Sequence, residues 1–180
     1  MKRSHLLASC GAAFLGLTVT SSPSAAAPAS PLGPVLAAET WIGPRVTAND
    51  LRGRVVLVDV FTFECINCVR VTPNLKHLSK IYRRDDLAIV AIHTPEVPSY
   101  QSRSSYVRDQ AQRAGIDWPI ALDNDYRIWQ AYGVNAWPTQ LVFDRTGTLR
   151  TTIVGDSQDA ELNRAIEKLV DASATRPGRS

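Results

Sequence analysis

The sequence predicts an α/β fold, a mixed central sheet with helices on both faces, and three observations lead to it. Two runs, VVLVDVFTF (55–63) and LAIVAIH (87–93), are β-branched and apolar almost throughout, the pattern of strands covered on both faces. Between them, VRVTPNLKHLSKIYRR sets Val71, Leu75, Leu78 and Tyr82 at helical spacing, which completes a βαβ unit. After a helical excursion the chain returns as two strands and a helix, and this order is that of a layered mixed sheet.

In chain order, residues 1–26 read as a secretory signal: Lys2 and Arg3, an apolar run from Leu6 to Val19, then small residues ending in SAAA. The run is short of the roughly 20 residues of a membrane span, so cleavage is expected near Ala26 or Ala27. Retention as an anchor is the alternative, and LASC before Gly11 imitates a lipid-attachment motif with little apolar sequence ahead of Cys10. Residues 27–39, rich in Ala, Ser and Pro, read as a flexible lead-in, residues 40–172 as one domain, and residues 173–180 as a disordered tail. Within the domain, residues 99–114 suit a surface helix ended by Gly115, and DNDYRIWQAYGV a short helix stopped by Gly133. TQLVFDRTGTLRTTIVG is a hairpin around D-R-T-G. The last helix, capped by Asp156 or Ser157, buries Leu162, Ile166 and Leu169. Trp41, Trp118 and Trp129 are expected in the core.

The 180 residues, 44% hydrophobic and 21% charged, supply a full core without disulfide support. Removing the signal leaves 18 Lys and Arg against 17 Asp and Glu, close to neutral, and no basic cluster with interleaved aromatics occurs. Nucleic acid is therefore not an expected partner. Of three cysteines, Cys10 lies in the signal, which leaves Cys65 and Cys68 as a pair in an exported chain, where disulfides persist.

That pair forms a C-x-x-C at the end of the first buried strand, and C-x-x-C beside a βαβ pattern is a redox signature. A thiolate at a helix N-terminus is favoured by unpaired N–H groups and the helix dipole, so Cys65 is the expected attacking sulfur and Cys68, one turn further in, the resolving one. A plain staple closing so small a loop constrains the unfolded chain very little. Zinc or copper is the other alternative, with only His77 and His93 left as further histidines, His77 exposed and His93 either framework or tuning the site.

Here a resemblance becomes specific. VVLVDVFTFECINCVRVTPNL resembles the active-site strand and helix of the thioredoxin superfamily, with Asp59 six residues before Cys65 and Pro73 inside the helix. AWPTQLVFDRTGTL resembles the segment that bears the cis-proline, here Pro138. IVAIHTPE and WPIALDNDYRIWQAYGVNAWPT resemble the TlpA-like branch, and most nearly the redoxin domain of DipZ-type proteins, over residues 41–170. The resemblance implies a thioredoxin fold with a TlpA-like helical insertion and no cofactor beyond a redox-active Cys65–Cys68 disulfide. Asp59 and Glu96 are the buried carboxylates expected to take the Cys68 proton, each with a pKa raised by desolvation. The turn at Trp137 and Pro138 is expected to pair with substrate backbone, and Ile66 and Asn67, between the cysteines, to face substrate and influence redox poise. Glu64 stands where common thioredoxins carry Trp, and Ile66-Asn67 replaces their Gly-Pro.

The expected function is that of an exported thiol–disulfide oxidoreductase acting on protein disulfides or dithiols in the periplasm or outside the cell, supplied with electrons by a membrane-embedded donor. Two alternatives remain. Thr62 and Cys65 have the T-x-x-C spacing of peroxiredoxins, although Val58 stands where their proline falls. A copper chaperone would use the two cysteines and a histidine.

Overall fold

Seven consecutive residues, Val55–Phe61, are all buried and form the strand at the middle of the sheet. The computed structural model describes residues 30–172. In chain order the elements are α1 (Gly33–Leu36), β1 (Trp41–Ile42), α2 (Ala48–Leu51), β2 (Val55–Phe61), α3 (Ile66–Ile81), β3 (Leu87–His93), α4 (Ser104–Ala114), β4 (Ile120–Leu122), α5 (Arg127–Ala131), β5 (Thr139–Phe143), β6 (Leu149–Val154) and α6 (Asp159–Asp171). The sheet order is β1-β4-β3-β2-β5-β6. β2, β3 and β4 run parallel, whereas β1, β5 and β6 pair antiparallel, so the sheet is mixed as the sequence predicts.

Side chains of β2 alternate between two cores, as the period of a strand requires. Val55, Leu57 and Phe61 pack with Leu75 and Leu78 of α3, Val107 of α4, and Leu162 and Ile166 of α6. Val56, Val58 and Val60 face the other way, against Val35 of α1, Leu51 of α2 and Ile128 of α5. Helices therefore cover both faces. Each fully buried Val, Leu or Phe contributes about 1.5–3 kcal/mol relative to exposure, which is why the longest fully buried strand sits between the two layers. Trp118 is buried in the first core, and Trp41 and Trp129 pack against the second.

Four expectations are corrected. The described part of the lead-in is not flexible chain: Leu32, Val35 and Ala38 are buried around α1, and Leu36 N–H and Ala37 N–H bond back to the carbonyls of Leu32 and Gly33. α4 begins at Ser104 rather than 99, because the preceding residues form turns. The N-cap of α6 is Gln158 with no side-chain cap bond; Ser157 has φ +64 and Asp156 instead pairs with Arg70. β1 and β4 were absent from the predicted order, being strands of only two and three residues. The signal and tail segments lie outside the described residues, and no helix among the described residues is long and apolar enough to cross a membrane.

Candidate active site

The loop leaving β2 delivers Cys65 to the N-cap of α3, with its carbonyl accepting Val69 N–H at 3.1 Å. Cys65 is half-buried, Cys68 one turn later is 2% exposed, and both are free thiols. The two sulfurs thus differ in access, as the sequence reading expects of an attacking and a resolving thiol. The Cys65 thiol donates to the Trp137 carbonyl at 3.8 Å. The Trp137–Pro138 peptide bond is cis, as expected, and the Trp137 ring lies 4.5 Å from that of Trp129, centroid to centroid.

Burial pushes the Cys68 thiol far above its ordinary range; the Thr62 backbone opposes this, while Cys65 and the Asp59 carboxylate reinforce it. A thiol held so firmly needs a proton acceptor close by before it can attack. Asp59 stands on the same face of β2 as Leu57 and Phe61, which pack with Cys68 in one core. It is 4% exposed, and burial pushes its carboxyl up to about 7, with Gln140 opposing. Gln140 is its register partner on β5, yet Asp59 Oδ1 and Gln140 Nε2 are each left without a hydrogen-bond partner among the described residues. An acid with that pKa changes protonation near neutral pH.

Glu96 does not meet its expectation. It was expected to be a buried carboxylate, and it sits exposed in the loop after β3. Of the intervening pair, Ile66 is 60% exposed beside Cys65. Asn67 Oδ1 accepts from Arg70, whose same nitrogen also reaches Asp156, each at 3.1 Å. Ile66 therefore presents apolar surface, and Asn67 is tied to the α6 side. A cleft of about 340 Å³ opens beside Cys68, between Phe63, Val69, Pro73 and Lys76.

Two contacts escaped the sequence reading. The Tyr106 hydroxyl of α4 donates to Glu64, the residue before Cys65, while Tyr106 also packs edge-on against Tyr100. Behind the loop, Thr62 Oγ1 lies 3.5 Å from His93 Nε2 and donates to Gln101 Oε1 at 3.4 Å, all three residues being buried. His93 also packs against the rings of Phe61 and Phe63, and burial lowers its pKa to about 4. Gln101 falls in a polar run with no motif, so no sequence signal marked it. Because the Thr62 hydroxyl is engaged with His93 and Gln101, the T-x-x-C spacing does not supply a hydroxyl to the Cys65 sulfur. Among the described residues no group of three or more His, Cys, Asp or Glu is assembled that could hold a metal. His77 is exposed on α3 and His93 lies in the buried network, so the copper reading lacks its third ligand at the cysteines.

A dithiol at the N-terminus of a helix, facing a cis-proline turn across a mixed sheet, defines a protein of thioredoxin-fold class. The chain belongs to the redoxin family, whose model matches residues 31–169. It is 33% identical over 133 residues to Protein DipZ of Mycobacterium tuberculosis, covering 74% of this chain and 19% of DipZ. It is 27% identical over 121 residues to the thiol-disulfide oxidoreductase ResA of Geobacillus kaustophilus, covering 67% of this chain and 66% of ResA. A thiol-disulfide isomerase from Corynebacterium glutamicum shares the fold, with a TM-score of 0.65 at 24% identity over 74% of this chain and 92% of the other. The chain thus spans about a fifth of the length of DipZ and two-thirds that of ResA.

Proposed function

We propose that the chain is an exported thiol–disulfide oxidoreductase that reduces disulfides in proteins through the Cys65–Cys68 couple. The supporting observation is the asymmetry of the dithiol: an accessible Cys65 at a helix N-terminus, and a buried Cys68 sharing a core face with an acid whose pKa lies near 7. Relatives named for thiol–disulfide exchange support the activity.

In the proposed cycle, the Cys65 thiolate attacks one sulfur of a substrate disulfide. That S–S bond breaks, the first substrate sulfur leaves as a thiolate and takes a proton from water, and a Cys65–substrate disulfide forms. Cys68 then gives its proton to the Asp59 carboxylate and attacks the Cys65 sulfur. The mixed disulfide breaks, the second substrate thiolate leaves and is protonated, and the Cys65–Cys68 disulfide forms. Two electrons have passed to the substrate, so a dithiol donor must restore the pair; a membrane-embedded donor fits an exported reductase. The exposed Ile66 and the Trp137–Pro138 turn flank Cys65 and are the surfaces on which a substrate segment would lie. Export rests on the residue order of the first 26 positions.

The test is a Cys68→Ser variant incubated with a disulfide-bonded protein. It is expected to accumulate a covalent complex through Cys65 that reductant dissolves. Absence of that complex, with Cys65 shown to be reactive, contradicts the scheme.

A further inference from the structure

Thr62 is the hub of the loop that carries the dithiol. Its carbonyl accepts Cys65 N–H at 3.4 Å, and its backbone amide favours the Cys68 thiolate. Its side chain belongs to a different set of contacts. Thr62 Oγ1 donates to Gln101 Oε1, so the hydroxyl is left to accept from His93 Nε2, which fixes the neutral ring with its proton on that nitrogen. His93 Nδ1, on this tautomer an acceptor, has no hydrogen-bond partner among the described residues. Gln101 Oε1 also accepts Val97 N–H at 3.0 Å, and Gln101 Nε2 lies 3.4 Å from the Tyr100 hydroxyl.

Gln101 is 1% exposed within a segment whose neighbours Glu96, Val97, Pro98, Ser99 and Tyr100 are all exposed. A buried amide in an otherwise solvated loop costs desolvation unless its partners compensate. The Val97 bond closes the loop only on itself. The Thr62 bond leaves the loop and joins it to the residue whose backbone favours the Cys68 thiolate.

We propose that Gln101 is a positioning residue for the resolving step: through the Thr62 hydroxyl it holds the Thr62 amide in place for Cys68. The inference rests on the dithiol cycle above. Cys65 is the half-buried sulfur and its attack on an incoming disulfide precedes any need for Cys68, so loss of the Gln101–Thr62 bond acts on the second step and spares the first.

The experiment is a single turnover of the reduced protein with 5,5′-dithiobis(2-nitrobenzoate), followed by stopped-flow absorbance. One coloured thiolate leaves when Cys65 forms the mixed disulfide and a second leaves when Cys68 resolves it, so the two steps are separate phases. Thr62→Val removes the hydroxyl at nearly constant shape, and Gln101→Leu removes its acceptor. Both are expected to leave the first phase within about twofold of wild type and to slow the second about tenfold, the kinetic equivalent of one ordinary hydrogen bond. Thr62→Ser, which keeps the hydroxyl, is expected to restore the second phase. The proposal is overturned if both phases slow together, if the second phase is unchanged in both variants, or if Thr62→Ser is as slow as Thr62→Val. A second phase missing from wild type itself overturns the dithiol cycle, and this inference with it.

Discussion

Asp59 is a charged residue type in the middle of a seven-residue strand buried at every position, and that placement gives it its chemistry. Burial raises its carboxyl to about 7, so below that pH it holds a proton and cannot take one from Cys68. The rate of the resolving step is therefore expected to rise with pH through about 7, measured as the second phase of a single turnover. Asp59→Asn is expected to flatten that limb and slow the step about 10²-fold, the lower end for general base catalysis. A rise that survives in Asp59→Asn assigns the base elsewhere. The placement of Cys65 at a helix N-terminus, of Cys68 one buried turn on, of Asp59 in a buried strand and of a cis Pro138 was legible in the sequence because each stands at a fixed offset in a motif. Glu96 was misjudged because a resemblance carries a residue type but not its burial, and Gln101 was invisible because a buried glutamine in a polar loop has no local signature.

At the scale of elements, long and periodic segments and the five-residue α5 were read correctly, while elements of two to four residues were missed for a physical reason. β2 and β3 each run seven residues and α3 sixteen, long enough for burial to impose a pattern. β1, β4 and α1 run two to four residues, and their place is set by what they pack against rather than by their own periodicity. The Ala- and Pro-rich segment before Trp41 illustrates this: its composition reads as linker, yet Val35 is wholly buried beneath the sheet. Val35→Ala is accordingly expected to lower stability by about 2 kcal/mol in denaturant unfolding, the transfer cost of two methylene-sized groups plus a partial cavity. A flexible lead-in would show no change.

Across the whole molecule, two buried titratable groups oppose each other. Asp59 has a folded pKa of about 7 against an ordinary 3.8, so its contribution is fully present below 3.8 and is lost as pH rises through 7. His93 has a folded pKa of about 4 against 6.5, so its contribution is present above 6.5 and is lost as pH falls through 4. Between pH 4 and 6.5 the two slopes have opposite sign and nearly cancel. Asp59→Asn removes one of them, so its stability is expected to gain on wild type by up to about 4 kcal/mol between pH 4 and 8. Parallel pH–stability curves for the two proteins would show that Asp59 does not carry its raised pKa in solution. The sheet unites these groups with the dithiol: β2 bears Asp59, pairs with β3 bearing His93 and with β5 starting after Pro138, and ends at the loop to Cys65. That convergence depends on strand order, which the sequence suggested only through the succession of its elements.

The most direct test of the redox account is to equilibrate the protein lacking residues 1–26 with buffers of defined thiol–disulfide ratio and count the thiols remaining. The account predicts one reversible two-electron couple that consumes Cys65 and Cys68 together, lies toward the thioredoxin end of the range at about −270 mV, and disappears in Cys65→Ser and in Cys68→Ser. A pair that never forms a disulfide reversibly would contradict the exchange mechanism, and a couple near about −120 mV would contradict its reducing direction.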